Sequence, residues 1–542
     1  MADTNDTRTA SAPVKIGWAA RDITPDEPVG IPGQFYLRVS GGTLDPVTVT
    51  ALVIENGLDS VIFLSADLVV IRNFLIDKIR ENAAGACPEL PVQKILLNAT
   101  HTHAGPDYYV NTRTTDPGST TATTCSYPCD LSIVSAEKMR DFIARRAADA
   151  IVEAWKNRAP GGIAWGYGFA TVGHSRRVIY SDDVSQRANA LKRSGLIVNG
   201  HGVMYGNTND DKFSHYEAGN DSFINLLYTF DARGKLTGAI VNVPCPSQNH
   251  EHIWNLSASF WNEVRTMLKA RYGNIHLLPQ AAAGGDLAPR QLHYRDAELR
   301  RYRLKFGPLM DQWSKEGAEA FPAFCMPTPA VKDEVVKQFA LEMARRHDIA
   351  ERIVNAFDEV LAWAKKDIRT DLELRHVVTT LELPKRFITR EEYEHEREEL
   401  AELEKESFTT GGDPDLDLYH NSMLAAKRNR CSGVIRHYEL QNAAPTIPME
   451  LHVIRIGDIA FAGNRFELFI DYMHRMQARS PFEQTFVVQL AATPGTEGGT
   501  YLATERAAAN KGYSASLYCN QVSPEGGQKL VDETVRILKE IR

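Results

Sequence analysis

Lys94-Ile-Leu-Leu-Asn-Ala-Thr-His-Thr-His-Ala-Gly-Pro-Asp107 decides how this chain reads. Ile95-Leu96-Leu97 is an apolar run of strand length, and Gly105-Pro106 ends the stretch in a turn. Side chains two apart in an extended chain share a side, so His101 and His103 should leave the strand end together, framed by Thr100 and Thr102. Paired imidazoles there suit a divalent metal, most often zinc, although zinc needs three or four ligands. The competing reading is two loop histidines that bond to backbone.

Upstream, Val61-Ile-Phe-Leu-Ser-Ala-Asp67 is a second apolar run, followed by helical spacing from Phe74 to Asn82. With Lys94–Ala99 it makes a strand-helix-strand unit, the pattern of a covered parallel pairing. Asp67 and His101 then stand at the carboxyl ends of adjacent strands, where open α/β sheets place their ligands. Val14–Ala19 and Val47–Ile54 read as strands on either side of a Pro/Gly-rich connection, Asp22–Asp45, whose Gln34, Phe35, Tyr36 and Arg38 are placed to wall a pocket.

Farther on come a helix at Ser135–Trp155, a strand at Gly161–Val172 and a hairpin of Phe223–Phe230 with Gly238–Val243. Helix Ala258–Ala270 leads to strand Ile275–Pro279 and the loop Ala283-Gly-Gly-Asp-Leu-Ala-Pro-Arg290. Met449–Ile456, Ala460–Ala462 and Thr485–Leu490 read as strands, Phe466–Gln477 and Val522–Ile541 as helices. Glu467 would then open a helix, where the dipole favours a carboxylate. Tyr501 and Tyr513 flank a loop of small residues. The expected fold class is α/β, a mixed sheet core flanked by helices. Residues 13–293 plus 446–542 form one unit behind a disordered tail, 1–12. The segment 294–445, rich in Arg, Glu, Lys and Ala, reads as a large charged helical insertion, either a solvated face or a lid or homo-oligomer contact.

Composition narrows the function. The 542 residues carry a net charge of −8, with 9% aromatic and 24% charged residues, as in an ordinary globular protein. No Lys/Arg cluster points to nucleic acid, and no apolar run is long enough to span a bilayer. The polar start Met1–Ala12 lacks the pattern of a signal peptide. Seven scattered cysteines (Cys87, Cys125, Cys129, Cys245, Cys325, Cys431 and Cys519) fit reduced thiols and a cytoplasmic location better than a disulfide framework. Cys125-x₃-Cys129 by itself is too little for a metal site.

Taken in order, Gly17-x₄-Asp22-Ile-Thr-Pro25, Phe63-Leu-Ser-Ala-Asp67, Thr100-His-Thr-His-Ala-Gly-Pro106, Gly284-Gly-Asp-Leu-Ala-Pro289, Gly463-x₃-Glu467 and Tyr501-x₁₁-Tyr513 resemble the neutral/alkaline, non-lysosomal ceramidase family. The resemblance spans residues 15 to about 290 and 446–542 and leaves the helical insertion unmatched. It implies a zinc amidase with one Zn²⁺ per chain that cleaves an N-acyl bond. His101, Glu467 and Tyr501 match metal ligands, whereas His103, Arg176 and Tyr513 match groups around the scissile carbonyl.

Two departures stand out. Where the family has a further histidine ligand before a proline, this chain reads Val243-Pro-Cys245-Pro246. A thiolate binds zinc, so Cys245 fills the place, or else His250 or His252 reaches in from downstream. The family's Gly-Asp-x-Ser-Pro appears as Gly285-Asp-Leu-Ala288-Pro289, and Ala288 has no hydroxyl to act as a nucleophile. The secretion signal and C-terminal β-domain of typical members are also not found, which argues against membrane ceramide as the substrate.

A metal with an open coordination position needs no serine, since it lowers the pKa of bound water to about 7 and polarises a carbonyl. The expected activity is therefore amide hydrolysis of a small N-acyl compound by metal-activated water. Tyr513 and Arg176 would face the oxyanion and His103 would carry the proton to the leaving group. Asp67 or Asp286 would orient a ligand histidine. An esterase or lactonase on O-acyl compounds would use the same residues, and a degenerate binding or scaffold protein is the alternative of another class.

Overall fold

Twelve strands, most of them buried on both faces, build two sheets packed face to face. The structure is a computed structural model that describes residues 11–72, 74–109, 131–188, 199–320, 329–495 and 501–542. The larger sheet has eight strands, in the order His276–Ala281, Leu236–Val243, Phe223–Asp231, Ala159–Phe169, Lys15–Asp22, Thr48–Glu55, Ser60–Ala66 and Ile95–Ala99. Ser60–Ala66 runs parallel to Ile95–Ala99, and Leu236–Val243 runs parallel to His276–Ala281. The other neighbours are antiparallel, so the sheet is mixed, as the sequence implied. The second sheet has the order Leu374–Pro384, Thr446–Ile456, Ile459–Gly463 and Gln484–Val488.

Period-two side-chain placement explains the layering. In Ser60–Ala66, Ile62, Leu64 and Ala66 join a core with helices Leu75–Ala86 and Ala136–Lys156, whereas Val61 and Phe63 point the other way into the second sheet. The second sheet returns Ile454, Ile456, Phe461, Phe486 and Val488 to that shared core, and turns Met449, Leu451 and Val487 toward helices Ile470–Arg479 and Pro524–Glu540. Phe461 stacks on Phe486 at 4.3 Å and tilts against Phe63 at 4.8 Å. The order of layers is helix, sheet, sheet, helix.

The stretch 294–445 corrects the expectation of a solvated helical insertion. Helix Pro329–Ala364 buries Ile349, Ile353, Val354 and Phe357 with Tyr228, Val241 and Val243 of the large sheet. Leu374–Pro384 is the edge strand of the second sheet, paired over its whole length with Thr446–Ile456. Buried charges in this stretch are paired: Arg346 meets Asp45 at 2.9 Å and also holds Glu263. Helix Arg390–Glu404 does match the expected exposed, charge-bearing character, whereas Pro414–Leu440 is largely buried along one side, and the two share a small core of Leu403, Leu424 and Cys431. Thr389 and Glu392 start the first of them with a reciprocal capping box.

No helix among the described residues is long and apolar enough to cross a membrane. Cys87, Cys245, Cys431 and Cys519 are buried free thiols, while Cys125, Cys129 and Cys325 lie outside the described residues. Because Phe461 fills the seam between the sheets, Phe461→Ala is expected to cost about 3–5 kcal/mol. The check is the urea unfolding midpoint at unchanged m-value, and a loss below about 1 kcal/mol would show that the seam is not a packed core.

Candidate functional site

The site forms where the two sheets meet at the end of Ile95–Ala99. Beyond that strand the backbone turns sharply, with His101 in the left-handed region at φ 65°. The two histidines do end up side by side, ring centroids 4.8 Å apart and edge to face, but the turn does this and an extended chain does not. Gly33, from the Pro/Gly-rich connection, packs against His103 so closely that a Cβ there would lie 2.8 Å from the ring, and its φ of 104° itself favours glycine. Arg38 of the same loop donates to the His103 carbonyl at 2.6 Å, so this connection walls the site as expected.

Glu467 arrives from a two-stranded pairing beside the second sheet, and here the helix expectation is corrected. Glu467–Leu468 is a short strand, parallel to Tyr501–Leu502 with Glu467 opposite Tyr501; the helix begins only at Ile470. This pairing sets a carboxylate and a phenol side by side. Gly285 holds the pair in place: its amide donates to the Leu468 carbonyl at 2.9 Å, and a Cβ on it would lie 2.3 Å from the Glu467 carbonyl oxygen. Its own carbonyl accepts from Arg176 Nη2 at 2.8 Å.

Around this frame the polar atoms converge. Val69 offers a carbonyl 2.5 Å from His101 Nδ1, and a carbonyl only accepts, so Nδ1 carries a proton. His101 Nε2 faces Glu467 Oε2 at 3.3 Å and His103 Nε2 at 3.3 Å. Arg176 Nη2 donates to the Tyr501 hydroxyl at 3.1 Å and lies 3.9 Å from Glu467 Oε2. Tyr513 meets Tyr501 edge to face at 5.8 Å.

Burial pushes the Glu467 carboxyl upward, but His101, Arg176 and a hydrogen bond from Tyr501 outweigh it and hold the group below the usual carboxylate range. Burial, followed by the charges of His101, Arg38 and Arg176, holds His103 well below the usual histidine value, so it is neutral. Burial raises the phenols of Tyr501 and Tyr513, so both keep their protons.

His101, His103, Glu467, Tyr501, Tyr513 and Arg176 are thus brought together, while the other expected residues have contacts of their own. The Cys245 thiol donates to the Pro246 carbonyl at 3.3 Å, and burial pushes its pKa far up. His250 turns toward Glu342 at 3.5 Å and lies over Phe339, and His252 sits by Glu251 at 3.7 Å. Asp67 is occupied by Arg265 at 2.9 and 3.1 Å, by Thr48 and by Thr100, and Asp286 accepts from the Ile470 amide. Neither carboxylate orients His101, because the Val69 carbonyl takes its Nδ1 proton. Ala288 is fully buried in a two-residue pairing with His174.

Val69, Gly285 and Glu251 were not foreseen. Glu251 places Oε2 3.9 Å from His103 Nδ1 and Oε1 3.3 Å from Arg290, and only its position in Gln248-Asn-His-Glu-His252 hinted at a role. Among the described residues no group of three or more His, Cys, Asp and Glu side chains is arranged to hold a metal ion. What converges is one imidazole nitrogen, one carboxylate and one phenol.

No family model matches the sequence, and no curated protein does. Solved structures do match. The neutral ceramidase from Pseudomonas aeruginosa is 17% identical with a TM-score of 0.58, over 98% of this chain and 75% of that one. A ceramidase complexed with C2 is 15% identical with the same TM-score, over 98% of this chain and 76% of that one. The chain therefore has a ceramidase-like fold, and the match takes in the stretch 294–445 that the motif resemblance had left out.

Burial raises Asp286 to about 7. A carboxyl whose folded pKa is raised stabilises the protein below its unfolded value near 4, and that contribution is lost as pH rises through about 7. Relative to wild type, Asp286→Asn keeps the acceptor for Ile470 and should gain stability between pH 5 and 8, on the order of 4 kcal/mol at the upper end. Parallel unfolding curves for the two proteins across that range would contradict the assignment.

Proposed function

We propose that this protein is a metal-dependent hydrolase that cleaves the amide bond of small N-acyl compounds. The observation that carries the reading is the approach of His101 Nε2 and Glu467 Oε2 to 3.3 Å. A proton on Nε2 closes that contact in the free site, and a cation that displaces the proton would be held by the same two atoms. Tetrahedral zinc with bonds of 2.0–2.2 Å sets its ligand atoms about 3.4 Å apart, so the spacing fits. His101, Glu467 and the Tyr501 phenol would hold the ion, one per chain. Bound there, zinc supplies Lewis acidity for a carbonyl and lowers the pKa of water. The Cys245 thiol, turned to the Pro246 carbonyl, adds no ligand in this arrangement, which predicts a loosely held ion.

The chain's own residues supply the remainder. Arg176, fixed by Gly285 and Tyr501, presents a positive charge to an oxygen that becomes negative as the amide is attacked. Tyr513, protonated and beside Tyr501, donates to the same oxygen. His103, held neutral, accepts a proton and passes it to the departing amine. With alanine at 288, no hydroxyl attacks from that position.

Purified protein should carry near one zinc per chain and hydrolyse members of a panel of N-acyl and O-acyl compounds. A chelator, or His101→Ala, should remove metal and turnover together, with turnover falling by at least about 10³-fold. Full turnover in metal-free protein would contradict the proposal. A stable protein with neither metal nor turnover would favour a binding role, the reading that Ala288 and the protonated Cys245 support. Preference for O-acyl over N-acyl members would make it an esterase on the same residues.

A further inference from the structure

The charged run Lys427-Arg-Asn-Arg430 on helix Pro414–Leu440 has the look of a solvated face, and two of its members behave otherwise. Arg428 donates to the carbonyls of Leu403 and Glu406, tying down the end of the preceding helix. Arg430 points into the molecule. Its guanidinium lies 4.5 Å from the ring centroid of Phe35, 4.5 Å from that of Tyr518 and 5.5 Å from that of Tyr513. Phe35 in turn meets Tyr513 edge to face at 5.2 Å, and Tyr518 lies 6.2 Å from Tyr513.

The same helix holds the loop that walls the site. Tyr419 packs on Tyr36 at 4.8 Å, and the Ser422 hydroxyl accepts from the Leu37 amide at 3.0 Å. Phe35 is therefore fixed on one side by its own loop and on the other by the guanidinium. A planar cation among aromatic faces is attracted to each ring, and a fork of that shape fixes ring orientation better than an apolar filler would.

We propose that Arg430 is a positioning residue: from a helix outside the two sheets it locks the Tyr513 ring beside Tyr501 and Arg176, in the place where its hydroxyl can serve the reacting carbonyl. This rests on the hydrolase reading for its consequence in turnover, though not for the contact itself. Arg430 touches no reacting atom and acts through Tyr513 alone.

The test uses the full chain, with Arg430→Ala, Arg430→Lys, Tyr513→Phe and the Arg430→Ala/Tyr513→Phe double variant. Arg430→Ala should lower kcat by roughly 10²-fold with KM near the wild-type value, since misplacing a group by about 1 Å costs that much. In the Tyr513→Phe background the same change should cost little further, and low millimolar guanidinium should restore part of the Arg430→Ala loss. Equal falls in both backgrounds, or no fall at all, would overturn the proposal. The near-UV circular dichroism of the tyrosine band needs no turnover: Arg430→Ala should alter it in the wild-type background and much less with Tyr513→Phe, whereas equal changes in both would overturn the proposal. If Arg430→Ala does not fold, Arg430→Lys carries the same comparisons. A wild-type protein without turnover would count against the hydrolase reading and leave the dichroism result to decide the positioning claim.

Discussion

His101 Nε2 and Glu467 Oε2, held 3.3 Å apart, are the pair on which the site depends. His101 comes from the larger sheet and Glu467 from a short strand beside the second, so their approach exists only because the sheets are packed together. Each side is fixed separately. The Val69 carbonyl anchors the His101 ring through Nδ1, and the Gly285 turn sets the height of Glu467. Neither fixing group is a metal ligand or a catalytic side chain, yet moving either would separate the pair.

The strands and helices that build this frame were mostly legible. The strand-helix-strand unit ending in Thr100-His-Thr-His103 reads correctly because its apolar runs are long and bounded by turns. Leu374–Pro384 escaped notice although Val377, Val378, Thr379 and Thr380 are β-branched, because it lies between long runs of Arg, Glu and Lys that carry helical spacing. The first turns after Ala462 failed for a different reason. Phe466-Glu-Leu-Phe continues smoothly into a helix in composition, and only its partner at Tyr501, more than thirty residues downstream, makes it a strand. Non-local pairing of that kind leaves no local signal.

The same limit shaped the site. Residues that carry their own chemistry, His101, His103, Glu467, Tyr501, Arg176 and Tyr513, were picked out by their motifs, and they lie together. Groups that act through the backbone, such as Val69 and Gly285, cannot be seen before the fold is known. Cys245, expected from its residue type as a ligand, is buried with its thiol on the Pro246 carbonyl, a contact that the sequence does not show. The charged helices beyond residue 390, which composition marks as solvent-facing, reach the site loop through Tyr419 and Ser422 and the Tyr513 ring through Arg430.

The central claim is that a cation belongs between the imidazole at 101 and the carboxylate at 467. Anomalous diffraction at the zinc edge, from crystals grown with zinc, measures this most directly. The account predicts a single strong peak about 2.0–2.2 Å from both His101 Nε2 and a Glu467 oxygen. An unperturbed His101–Glu467 contact with no peak between them, or a peak bound elsewhere, would contradict it.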